Sequence, residues 1–104
     1  MIIVTTETVH DRETVEVKGI VQGSTVRAKH LGRDIAASLK NLVGGELKGY
    51  TELLNESRQE AVSRMVQQAQ QLGANAIVCV RFSTNAVTQN ASEVFCYGTA
   101  LVVR

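Results

Sequence analysis

Aromatic side chains are scarce in this sequence, with two Tyr, two Phe and no Trp among 104 residues. The hydrophobic content of 44% therefore rests on Val, Ile, Leu and Ala. A core of that kind has few large anchors, and a single domain of this length buries only about two-thirds of its unfolded surface. Help from a partner subunit is the expectation. An excess of charge of one sign is lacking too. The chain carries 11 Lys+Arg against 10 Asp+Glu, for a net charge of +1, and the balance holds on both sides of Gly49. That excludes the broad basic footprint of a nucleic-acid-binding domain and a polybasic membrane anchor. No apolar run approaches the ~20 residues of a membrane-spanning helix. The opening Met1-Ile2-Ile3-Val4-Thr5-Thr6 has no charged start and too short an apolar run for a signal peptide. Two cysteines without an export signal point to free thiols in the reducing cytoplasm.

The signatures of common chemistry are missing as well. The soft or borderline metal ligands are His10, His30, Cys79 and Cys96, and no C-x-x-C or H-x₃-H spacing joins them. The segment Gly44-Gly45-Glu46-Leu47-Lys48-Gly49 lacks the spacing and the Lys-Ser/Thr ending of a phosphate-binding loop. A cysteine nucleophile needs an adjacent base and an orienting group, and nothing in the sequence sets either histidine beside a thiol. The expectation is a protein that is not an enzyme.

What is present reads as alternating strand and helix patterns. Ile2–Val4 is a short β-branched run, and the polar Thr8–Glu13 reads as a loop. Thr14–Ala28 alternates through Val15, Val17, Ile20-Val21 and Val26, with Gly19 and Gly23 permitting a bulge or turn. From Gly32 to Val43 the period changes: Leu31, Ile35, Leu39 and Leu42 share one helical face, and Gly44-Gly45 ends the helix. Tyr50–Leu72 is a longer helix, about 34 Å at ~1.5 Å per residue. Leu54, Ala61, Met65, Ala69 and Leu72 are its expected apolar face, and Gly73 its C-terminal stop. Ala76–Phe82 and Val94–Val103 read as strands with the polar Ser83–Glu93 as the loop between them. Strict alternation would put Ile77 and Cys79 on one side of the first, with Val78, Val80 and Phe82 on the other. Strands apolar on both faces are covered on both faces. Two helices would cover one, and a neighbouring chain is the simplest cover for the other.

Three groups of residues are candidates for a site. Cys79 and Cys96 form a candidate metal pair across the hairpin. They face each other if paired residue numbers sum to 175, and sit about 13 Å apart, at ~3.3 Å per residue, if the sum is 179. The alternative is that each is a small buried hydrophobe. Arg27, Lys29, His30 and Arg33 cluster before and at the first helix start, where free N–H groups and cations make an anion site. A solvated basic rim, with Asp34 capping the same N–H groups, is the competing reading. Glu52, Glu56 and Glu60 form a carboxylate stripe that could hold a hard cation, or a solvated face tied by the Glu60/Arg64 i,i+4 pair. His10 beside Asp11 reads as an exposed loop histidine.

Five segments in order carry a family resemblance: Gly32-Arg33-Asp34, Val43-Gly44-Gly45-Glu46, Tyr50-Thr51-Glu52-Leu53-Leu54, Leu72-Gly73-Ala74-Asn75-Ala76-Ile77-Val78 and Tyr97-Gly98-Thr99-Ala100-Leu101-Val102. The chain resembles, nearly end to end, the YbjQ-like family of small bacterial and archaeal proteins, often labelled heavy-metal-binding. The resemblance implies a compact α+β subunit that assembles into a ring, a pentamer, and implies no known activity. The expectation is thus one α+β domain over residues 1–104, a small antiparallel-rich sheet packed by one short and one long helix. It would form a cytoplasmic homo-oligomer that binds a metal ion or small ligand at subunit interfaces, with no nucleic-acid or membrane partner. A scaffold with no ligand is the alternative.

Overall fold

Alternating β-branched residues draw Thr14–Ala28 into one 15-residue strand, with the bounds the pattern predicts. The computed structural model describes residues 1–28, 48–88 and 91–104. In chain order these contain β1 (Ile2–Ile3), β2 (Thr14–Ala28), a 24-residue helix α1 (Lys48–Gln71), β3 (Ala76–Thr88) and β4 (Ala91–Val103). The strands form one mixed sheet in the order β1-β3-β4-β2, parallel only where β1 meets β3. The α+β class and the antiparallel-rich sheet are as expected. The short helix expected over Gly32–Val43 lies outside the described residues.

Two expectations are corrected. The polar stretch Ser83–Glu93 is not a hairpin loop: its described residues continue the ladder, with Ser83 opposite Phe95, Asn85 opposite Glu93 and Thr88 opposite Ala91. Polarity misled because side chains here are largely exposed, and an exposed strand keeps its backbone pairing without an apolar pattern. Second, cover for the sheet face opposite α1 comes in part from the chain itself. Ile2, Val4 and Val9 pack on Ala76, Val78, Leu101 and Val103 there. The N-terminal segment is held by backbone bonds from Val4 N–H to Ile77 O (2.9 Å) and from Val80 N–H to Val4 O (3.2 Å).

On the other face, α1 lies along β2 and β4. Ala61, Met65 and Ala69, four residues apart, are fully buried against Val21, Ile77, Val80, Val94, Cys96 and Ala100. Leu72, expected on this face, is exposed, because the helix has ended at Gln71 and the chain is turning away. Gly73 (φ +80°) makes that turn. Its N–H bonds to Gln70 O and that of Ala74 to Ala69 O, each at 3.0 Å, which is the Schellman arrangement. Asn75 then extends the ladder with its side chain. Its Nδ2 donates to Val103 O and its Oδ1 accepts from Val103 N–H, both at 2.8 Å.

The helix meets β2 backbone to backbone. A Cβ at Gly23 would lie 2.0 Å from Ala61 O and 2.6 Å from Met65 N. Around that contact, Thr25 Oγ1 donates to Ser57 O (3.2 Å), and the Arg27 guanidinium pairs with Glu60 (2.9 Å). Two helix side chains reach the outer edge of β2, where Gln68 Oε1 accepts from Gln22 N–H (2.8 Å) and Arg64 donates to Ser24 O (2.6 Å). Two of the backbone groups on that edge, a liability for stray strand pairing, are thereby occupied.

Gly19 and Gly23 make different demands. Gly19 sits at a register shift with φ +116° and open space around it, whereas Gly23 has no room for a methyl group. Gly19→Ala should cost about 1–3 kcal/mol of backbone strain. Gly23→Ala must push the helix off the sheet and should exceed about 4 kcal/mol or prevent folding. Urea denaturation midpoints of the two variants check the order.

Candidate functional site

The two thiols are placed by a β-bulge. Val78 pairs with Thr99 and Arg81 with Tyr97, so Cys79 and Val80 together oppose the single residue Gly98. Cys79 adopts φ +55°, a left-handed conformation that glycine usually supplies at such a position. Gly98 is required opposite it, since a Cβ there would come within 2.7 Å of Ile77 Cγ2 and 2.9 Å of Val78 O. The Cys79 N–H turns outward and donates to Thr6 O (3.0 Å), while Arg81 donates to Thr5 O and Val80 O, both at 2.9 Å. The extra residue is thus tied to the N-terminal segment.

The bulge reverses the alternation of β3. Ile77 and Val80 face the helix, whereas Val78 and Cys79 face the opposite side. The strict alternation expected from the sequence is corrected accordingly, and so is the register. Paired numbers sum to 177 before the bulge and 178 from Arg81 to Ala86, so Cys96 opposes Phe82. Cys96 is fully buried beneath α1 with Val21 and Met65, and Cys79 is half-buried with Val4 and Ile2 across the sheet. Both are free thiols. Burial pushes the Cys96 thiol above its ordinary value of 9.0, with a hydrogen bond from the Gly23 backbone partly opposing.

Among the described residues the other candidates are dispersed. His10 lies in an exposed loop with its Nε2 3.3 Å from Asp11, itself at φ +59°. Glu52 and Glu56 are exposed, while Glu60 is bridged by Arg27 and by Arg64 at 2.6 Å, the pair predicted at i,i+4. Of the anion cluster, Arg27 is engaged by Glu60, and Lys29, His30 and Arg33 lie outside the described residues. A shallow cleft of about 630 Å³ opens beside the β2 edge, lined by residues that include Gln22, Ser24, Arg64, Gln68, Glu93 and Phe95. Its Arg64 and Gln68 already hold β2.

The family model described as "Putative heavy-metal-binding" matches residues 1–104. The chain belongs to this YbjQ-like family. Curated relatives include a UPF0145 protein of Dehalococcoides mccartyi, 55% identical over 103 residues and covering 99% of each chain. One of Archaeoglobus fulgidus is 54% identical over 104 residues, covering 100% of this chain and 96% of the relative. Another, from Acinetobacter baylyi, is 63% identical over 92 residues, or 88% and 85% of the two chains. A crystal structure of a Pediococcus pentosaceus protein of unknown function, assigned to the DUF74 family, shares the fold with a TM-score of 0.68. It is 17% identical, covering 100% of this chain and 98% of that one.

Among the described residues of one chain the donor set does not fit the metal suggested by that description. Among the described residues no three His, Cys, Asp or Glu side chains converge. The family's segments have structural duties instead: Gly73 closes the helix, Asn75 latches Val103, and Gly98 makes room for the bulge. Gly98 was the available clue, because a glycine inside a strand pattern marks a bulge or a close approach.

Two measurements probe these environments. Cys79→Gly relieves the positive φ, worth roughly 1–2 kcal/mol, while losing packing of similar size, so its stability should stay within about 1 kcal/mol of the parent. Cys79→Val puts a β-branched residue at that φ and should cost about 1–3 kcal/mol. Thermal melts of the two variants check the difference. For Cys96 the folded-state pKa is raised, so above pH 9.0 the unfolded chain loses its proton while the folded chain keeps it. Stability should fall as pH rises past 9.0, and Cys96→Ala should fall less steeply over the same range.

Proposed function

We propose that this protein is a non-enzymatic, ring-forming homo-oligomer of the cytosol, which holds a metal ion or small ligand between subunits. A pentamer is the assembly the family resemblance implies. The observation that carries the reading is the sheet face opposite α1. The N-terminal segment covers one end of it, and beyond that cover several apolar side chains stand open among polar ones such as Gln22, Ser24 and Asn85. Val17, Ile20 and Val26 are 64%, 79% and 55% exposed there, beside the stacked rings of Phe95 and Tyr97 at 5.4 Å between centroids. A strip of this kind on a small domain is the surface that a neighbouring subunit buries.

The scarcity of convergent ligands among the described residues supports the location of the ligand. A site needing several protein groups is most simply completed by groups from more than one subunit. The separation of the two thiols favours the second reading, a scaffold with no metal. Among the described residues no helix is long and apolar enough to cross a membrane.

Light scattering at micromolar concentration should return several times the 11.3 kDa chain mass. Ile20→Glu alters a side chain exposed in the single chain, so it should change the subunit's own stability by no more than about 0.5 kcal/mol. It should nevertheless shift the scattering mass towards that of one chain, with the circular dichroism unchanged. A monomeric parent protein would overturn the reading.

A further inference from the structure

The two cysteines are the chain's only thiols, and thiolate is the ligand that soft metal ions select. We infer that Cys79 and Cys96 do not ligate a common metal ion, because the bulge at Cys79 has put the sheet itself between them. Metal–thiolate bonds are about 2.3 Å long, so two sulfurs on one tetrahedral ion must come within about 4 Å of each other. Here one thiol lies under the helix and the other under the N-terminal segment. Rotamer changes cannot exchange the faces of a strand; only removal of the bulge would, by restoring the alternation of β3.

A neighbouring subunit does not rescue the pairing. Cys96 has no exposed surface, enclosed by Val21, Met65, Val94 and Ala100, so no group from outside reaches it without the helix lifting. Metal binding would also require its thiol proton to leave for solvent as the metal–sulfur bond forms, and burial opposes that loss. Cys79 is half-buried and faces the side that the helix leaves free. A soft cation entering the native fold therefore meets one thiol, and the inference stands whether or not the chain assembles.

The test titrates cadmium chloride into tag-free protein, following heat and the sulfur-to-cadmium absorbance. Cys96→Ala should bind within about twofold of the parent affinity and keep the absorbance per bound ion, while Cys79→Ser should lose the absorbance. Absence of cadmium binding in all three proteins agrees equally, since only a shared site requires both thiols. A loss of about tenfold or more in affinity with Cys96→Ala, or a halved absorbance per ion, would overturn the inference. Cys96→Val, which fills the space, is the second variant should alanine compromise folding. An independent readout needs no variant: a monofunctional alkylmercurial on the native parent should modify Cys79 alone. Equal rates at both cysteines would count against the separation.

Discussion

The backbone contact between the helix and β2 at Gly23 sets the position of everything on one side of the sheet. With no side chain at that point, Ala61 O and the Met65 amide come as close to the strand as backbones can. The helix is thereby seated along β2, at the sheet's edge, and β4. From there Ser57 receives Thr25, Glu60 meets Arg27, and Gln68 and Arg64 reach the edge groups of Gln22 and Ser24. A methyl group at residue 23 would displace all of these together, because they share one register.

A second constraint divides the chemistry. The Cys79–Gly98 bulge adds one residue to β3, and the side chains after it, as far as Ala86, change face relative to strict alternation. Val80 thereby joins the helix-side core, and Cys79 joins the N-terminal cover. The cost is a non-glycine residue at φ +55°, sustained by the bond from its N–H to Thr6 O and by Arg81 bridging to Thr5. This device anchors the N-terminal segment and separates the two thiols in one step. It leaves this member of a family described as heavy-metal-binding with its two cysteines on opposite faces of the sheet.

Much of the fold was legible. The bounds of β2, the long helix and the stop at Gly73 follow from local signals: alternation, four-residue apolar spacing and a glycine that accepts positive φ. The extension of β3 and β4 through Ser83–Glu93 was not, because exposed strand pairing leaves no apolar period to read. The site was legible only as a set of residue types. Ser83 and Glu93 look like loop residues until Phe95 and Asn85 are seen opposite them.

What the sequence determined by itself was the inventory and the local geometry: a core of small aliphatic residues, balanced charge, two free thiols, and elements whose periods are written in neighbouring residues. Only the tertiary structure decided which face each thiol occupies, that Ile2, Val4 and Val9 serve as the sheet's own cover, and that Val17, Ile20 and Val26 stay open. The physical reason is that facing is a running count along a strand. One bulge residue shifts that count for all that follow, and its presence depends on Gly98 of the partner strand and Thr6 of the N-terminal segment, far away in sequence.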